Sequence, residues 1–97
     1  MNKVGPDTMV IHYVYILECR NGMLYTGYTN NIERRIAEHK RGTASKFTRS
    51  RLPVTLSYLE PVDNKALAIK REIRIKHLSR IKKIELCKLY GKRKLNK

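Results

Sequence analysis

A chain of 97 residues with 22 Lys+Arg against 8 Asp+Glu carries a net charge of +14 and has a pI near 10.2. That length allows one domain with a modest core, and 41% apolar residues argue against disorder. No apolar run approaches the roughly 20 residues of a membrane-spanning helix. A polyanion is the simplest partner for so much positive charge, and nucleic acid is the commonest polyanion. The bland alternative is a solvated basic surface.

In chain order, residues 1–9 show no periodicity and read as a flexible arm. They lack the basic-then-apolar pattern of a secretory signal. His12–Glu18 alternates and is rich in β-branched and aromatic residues, so it reads as a strand. Asn21-Gly22 is a turn signal, and Met23–Tyr28 reads as the returning strand of a hairpin. A helix follows, with Asn30 as N-cap, Glu33 three residues on, and Ile32 and Ile36 on one face. Gly42 is its stop. Thr43–Ser50 is basic and polar, a short helix or a loop. Val54–Glu60 reads as a third strand, ended by Pro61. Asn64 caps a long helix over roughly Lys65–Leu78. After Ser79, apolar residues at Ile81, Ile84, Leu86 and Leu89 predict a last helix. Residues 91–97 read as a frayed basic tail.

The fold class predicted is α/β of the α+β type. It is a small three-stranded antiparallel sheet flanked by helices, in the order β-β-α-(α)-β-α-α, forming one domain over residues 10–90. Cys19 and Cys87 sit outside any CxxC pair, which argues against zinc and for a reduced, cytoplasmic setting.

Three features ask for a chemical explanation. At about 100° per residue, Arg35 and His39 fall on the flank of the Ile32/Ile36 stripe. A guanidinium there needs a carboxylate or a phosphate, unless it only snorkels over the core edge. Glu72 lies within the apolar arc of Ala68, Ile69, Ile73 and Ile75. Such a carboxylate wants a partner, a metal or a proton, and Lys76 at i+4 is the plain structural partner. The hairpin supplies Tyr13, Tyr15, Tyr25 and Tyr28. A two-residue loop would put Tyr15 and Tyr25 on opposite faces; a three-residue loop, Arg20-Asn21-Gly22, would put them on one face. The sequence permits both. Tyr13 and Tyr28 read as ordinary half-buried strand residues.

Taken together, Tyr13-Val14-Tyr15, Tyr25-Thr26-Gly27, the segment from Asn31 to His39 and a glutamate on a later helix resemble the GIY-YIG nuclease superfamily. The resemblance spans roughly Ile11–Leu89 and is strongest to small, free-standing bacterial proteins of this domain alone. It implies an endonuclease-like domain hydrolysing phosphodiester bonds in DNA or RNA with low sequence specificity. Tyr15 and Tyr25 would be the two motif tyrosines, Arg35 the catalytic arginine and His39 an assisting base. Glu72 would hold the metal ion, a weakly bound magnesium or manganese that keeps several waters. Tyr25 would take the proton of the attacking water, and Tyr15 would orient water or phosphate. Gly27 would close the second motif.

The sequence departs from that family in four places. Tyr13 replaces a glycine and Thr26 an isoleucine. Tyr28 stands where repair-type relatives carry a lysine. The helix after Glu72 offers Ile84 and Glu85 in place of an asparagine. Lys40, Lys46, Arg49, Arg51 and Lys76 are the residues expected to track a nucleic-acid backbone, with DNA favoured over RNA. Phe47 reads as a core anchor in preference to a base-stacking platform. The alternative is a non-catalytic nucleic-acid-binding module that retains the nuclease fold. A further alternative is a basic protein docked on a larger assembly through Arg71, Arg74, Lys82 and Lys83. A monomer is the default, with a separate protein supplying any targeting.

Overall fold

The computed structural model describes residues 10–95; the expected arm at residues 1–9 and the last two residues of the tail lie outside that range. Strand β1 (His12–Cys19) runs antiparallel to β2 (Leu24–Thr29). Its other edge pairs antiparallel with β3 (Val54–Val62), giving the order β2-β1-β3. Helices α1 (Ile32–Arg41) and α2 (Lys46–Arg49) lie between β2 and β3 in the chain. Helices α3 (Lys65–Lys76) and α4 (Arg80–Leu95) follow. The predicted element order and sheet type are therefore those observed.

β1 is the central strand, and both its faces are covered. Val14 and Ile16 are wholly buried against Tyr58, Ala68 and Ile75, with Leu86, Cys87 and Tyr90 of α4 packed behind them. Tyr15, Leu17 and Cys19 point the other way, toward Val54, Ile32, Ile36 and Phe47. Each large apolar side chain taken out of water on this scale contributes about 1.5–3 kcal/mol. β3 keeps its phase on both sides through an irregularity: Ile16 pairs with Tyr58, but Leu17 pairs with Leu56. The extra residue, Ser57, lets Tyr58 face one core and Leu56 the other.

Several boundaries differ from those read in the sequence. Asn31, not Asn30, caps α1, its side chain accepting from the Arg34 N–H. Pro61 does not end β3, which runs on to Val62; β3 is an edge strand, where a missing N–H costs nothing. α4 continues through Gly91 to Leu95, so the first part of the expected tail is helical. The apolar arcs also rotate. On α3, Ala68 and Ile75 are buried while Ile69 and Ile73 are 39% and 50% exposed. On α4, Ile81 and Leu89 face out, and the inward stripe is Ile84, Leu86, Cys87 and Tyr90.

A polar anchor accompanies the rotation of α3. Its half-buried side carries Arg71 and Glu72 between Ala68 and Ile75. Arg71 Nε donates to both carboxylate oxygens of Glu60 on β3, at 3.0 and 3.1 Å. The Tyr58 hydroxyl donates to the same carboxylate. This charge-assisted N–H, shared between two carboxylate oxygens, ties the helix to the sheet edge on the half-buried side that also carries Glu72.

Candidate active site

The hairpin loop is the three-residue one. Gly22 has φ +84° and its N–H donates to the Cys19 carbonyl, closing the turn over Arg20 and Asn21. Tyr15 therefore pairs with Gly27, and Leu17 with Tyr25. Directly opposed residues share a face, so Tyr15 and Tyr25 lie together, with ring centroids 6.4 Å apart. Gly27 is required by this arrangement, because a Cβ built there would collide with the phenol end of Tyr15.

Helix α1 crosses the same face, anchored by Ile32 and Ile36. Its i, i+3, i+4 spacing brings Arg35, Glu38 and His39 to one side. His39 is fully buried, deeper than the flank position its spacing suggested. Its Nε2 lies 2.8 Å from Tyr15 Oη, and its Nδ1 lies 2.9 Å from Thr48 Oγ1 of α2. Its ring also meets the edge of Tyr25 at 5.2 Å. Burial, aided by the Arg35 charge, pushes the imidazole below its usual pKa of 6.5, so His39 is neutral at physiological pH. Thr48, also fully buried, was not singled out in the sequence. The only signal available was a Ser45-x-x-Thr48 spacing inside a stretch that otherwise reads as basic loop.

Arg35 is half-buried. Its Nε lies 3.5 Å from Glu38 Oε1, within ion-pair range. That same Nε is buried and finds no hydrogen-bond acceptor. The two facts agree once geometry is considered: the carboxylate is near but not along the N–H direction, so the donor stays unsatisfied. Burial pushes the Tyr15 phenol well above its ordinary pKa of 10.0. The Tyr25 side chain adds to that rise, as do the charges of Glu72 and Glu38, and Arg35 opposes it. Tyr15 is thus in contact with Tyr25 and His39 and within electrostatic reach of Arg35 and Glu72.

Glu72 is mostly shielded and bridges to Lys76 Nζ at 3.1 Å. The structural partner expected for it is present. Among the described residues, no group of three or more His, Cys, Asp or Glu could cage a metal. A single carboxylate fits only a hard ion that keeps most of its waters.

The expected backbone-tracking residues divide. Lys40, Lys46 and Arg49 are exposed at the end of α1 and on α2. Arg51 is half-buried, its guanidinium 3.9 Å above the Phe47 ring and its Nη1 donating to the Phe47 carbonyl at 2.8 Å. Phe47 packs in the second core cluster, 5.8 Å from Tyr25, so it is a core anchor as expected. Lys76 is committed to Glu72. Tyr13 and Tyr28 are half-buried, and Tyr28 Oη lies 2.9 Å from His12 Nδ1. No helix among the described residues is long and apolar enough to cross a membrane.

Two tyrosines on a hairpin, an arginine and histidine on the next helix, and a glutamate on a later one stand in the order that the resemblance to a nuclease class led us to expect. Residues 11–85 match the GIY-YIG catalytic domain, and the chain belongs to that family. Its relatives include proteins named UPF0213. One from Halobacterium salinarum is 52% identical over 73 residues, 75% of this chain and 95% of the relative. Another, from Staphylococcus saprophyticus, is 51% identical over 75 residues, 77% of this chain and 92% of the relative. The solution NMR structure of a UPF0213 protein from Bacillus halodurans superposes with a TM-score of 0.55 at 47% identity. It covers 84% of this chain and 86% of that one.

Proposed function

We propose that this protein hydrolyses phosphodiester bonds in nucleic acid, with low sequence specificity and DNA as the favoured substrate. The observation that carries this reading is the buried, unsatisfied Nε of Arg35 beside Tyr15, Tyr25 and His39. An unpaired guanidinium donor in a half-buried position is costly. A phosphate oxygen would satisfy it, and would do so most strongly as charge builds on the phosphoryl group.

The roles follow from the contacts. Arg35 holds the non-bridging oxygens. Of the two tyrosines, Tyr15 has a base beside it, so Tyr15 with His39 is the pair that accepts the proton of the attacking water. Tyr25, flanked by His39 and Phe47, orients that water. This exchanges the tyrosine roles implied by the family resemblance, because burial opposes a free Tyr15 phenolate and only a neighbour can relieve Tyr15 of its proton. Glu72 would hold a weakly bound magnesium or manganese ion, which supplies Lewis-acid stabilisation of the leaving oxygen. Lys40, Lys46 and Arg49 would follow the backbone of the bound strand, with Arg51 behind them. Free thiols at Cys19 and Cys87 suit a reducing, cytoplasmic setting.

One observation favours the second reading, a nucleic-acid-binding module without turnover. Lys76 already neutralises Glu72, so a metal must displace it. Kinetics of Arg35→Ala separate the two. The hydrolytic reading expects kcat to fall by about 10²–10³ with little change in affinity, the loss typical of one transition-state donor. Equal loss in binding and cleavage would make Arg35 a docking residue.

A further inference from the structure

The polar contacts of His39 form a chain that runs on past it. Tyr15 Oη meets His39 Nε2 at 2.8 Å, His39 Nδ1 meets Thr48 Oγ1 at 2.9 Å, and Thr48 Oγ1 meets Ser45 Oγ at 2.9 Å. Tyr15, His39 and Thr48 are all buried. A neutral imidazole carries one ring proton and offers one acceptor nitrogen, so the whole chain must be polarised one way or the other.

The two directions differ in what they leave unsatisfied. If Thr48 donates to Nδ1, His39 donates from Nε2 to Tyr15, and the buried hydroxyl proton of Tyr15 has no acceptor among the described residues. If Tyr15 donates to Nε2, His39 donates from Nδ1 to Thr48, and Thr48 donates to Ser45. Thr48 then has two acceptors, Ser45 Oγ at 2.9 Å and the Ser45 carbonyl at 3.4 Å. The chain ends at Ser45, which is only half-buried and can send its own proton to water. Ser45 is itself held, as its Oγ accepts the Thr48 N–H at 3.1 Å while capping α2. Buried donors are rarely left unpaired, so the second direction is the stable one.

We propose that Thr48, backed by Ser45, is a positioning residue: it accepts the Nδ1 proton of His39 and so holds Nε2 aimed at the hydroxyl proton of Tyr15. This rests on the hydrolytic reading above and supplies its missing step. In the complex, where the attacking water reaches the remaining lone pair of Tyr15 Oη, it gives a proton to that oxygen as the proton already on Tyr15 passes to His39 Nε2. The water oxygen bonds to phosphorus, and the ester P–O bond breaks with its electron pair on the departing oxygen, which takes a proton from solvent. His39 is left as an imidazolium, donating from Nδ1 to Thr48, and afterwards returns its proton to solvent. No phenolate is populated, in keeping with the burial of Tyr15. The wrong tautomer would block this route, as it does in other base-assisted sites.

The test is the ring 15N NMR spectrum of His39 in the full chain at pH 7.5, which reads the tautomer with no need of substrate. The proposal expects the proton on Nδ1 in the wild type and in Thr48→Ser. In Thr48→Val, where Nδ1–H loses its acceptor, it expects that ring proton to move upfield and to exchange faster with solvent, and kcat to fall at least about tenfold at unchanged KM, with Thr48→Ser restoring most of both. A wild-type proton on Nε2 would overturn it, and so would an Nδ1–H signal in Thr48→Val unchanged from wild type. Should Thr48→Val fail to fold, Thr48→Ala supplies the same comparison. An Nδ1 proton in a wild type that cleaves no nucleic acid would remove the hydrolytic reading and leave the orientation of His39 standing.

Discussion

The hydroxyl of Tyr15 lies 2.8 Å from His39 Nε2, and the end of its ring rests on Gly27 across the hairpin. A strand residue is thus held between a helix and its own partner strand. Gly27→Ala is expected to destabilise the fold by about 1–3 kcal/mol, the usual cost of overpacking a filled site. It should also push Tyr15 off His39. Urea denaturation reads the first effect, and the change in the Tyr15 ring environment by NMR reads the second.

His39 gives the fold a definite pH dependence. Its pKa is lowered in the folded chain from the usual 6.5, first by burial and then by Arg35. Between the lowered folded value and 6.5, the unfolded chain binds more protons, so stability must fall as pH drops through that window. Above about 6.5 the contribution is fully present. Unfolding free energies measured from pH 7.5 to 5.0 should decline in the wild type and flatten in His39→Gln. Parallel slopes in the two proteins would remove His39 as the cause.

The link between Arg71 and Glu60 orients the helix that carries Glu72. Both partners are partly exposed, so Arg71→Met should cost only about 1 kcal/mol of stability. Its effect on cleavage should be larger than its effect on stability, since α3 is freed to rotate toward its exposed isoleucines, Ile69 and Ile73. Thermal unfolding and cleavage rate, measured on one preparation, compare the two. A loss of cleavage no greater than that from other variants of equal stability would deny this positioning role.

Lys76 competes for Glu72. Lys76→Met should strengthen divalent-ion binding by roughly 1 kcal/mol, about fivefold, because the displaced pair is half-exposed and weak. Titrating cleavage against magnesium concentration measures this. A midpoint moved to higher magnesium would place the ion elsewhere.

Much of this site could be read in the sequence, and the reasons for the rest are physical. Arg35 and His39 stood out because the helical period sets their faces, and Tyr15 and Tyr25 through the motif resemblance. Whether Tyr15 and Tyr25 share a face depended on the loop register, set by the Cys19–Met23 backbone bond around a three-residue loop, which Asn21-Gly22 allows but does not dictate. The capping of α1 by Asn31 instead of its neighbour Asn30 is a choice between identical side chains. The rotation of α3 was hidden because the contacts that go with it are not local: Glu60, which Arg71 meets, lies eleven residues away on another element. Counting apolar residues favoured Ile69 and Ile73, yet the helix turns Ala68 and Ile75 inward. Thr48 was hidden for the same reason, as its value comes from contact with His39 across a loop.

The most direct measurement is cleavage of a mixed panel of single strands, duplexes, flaps, forks and RNA with magnesium or manganese, comparing wild type with Glu72→Gln. The account predicts cleavage that requires the metal and disappears in the variant. Binding without cleavage in the wild type, or equal metal-dependent cleavage by both proteins, would contradict it.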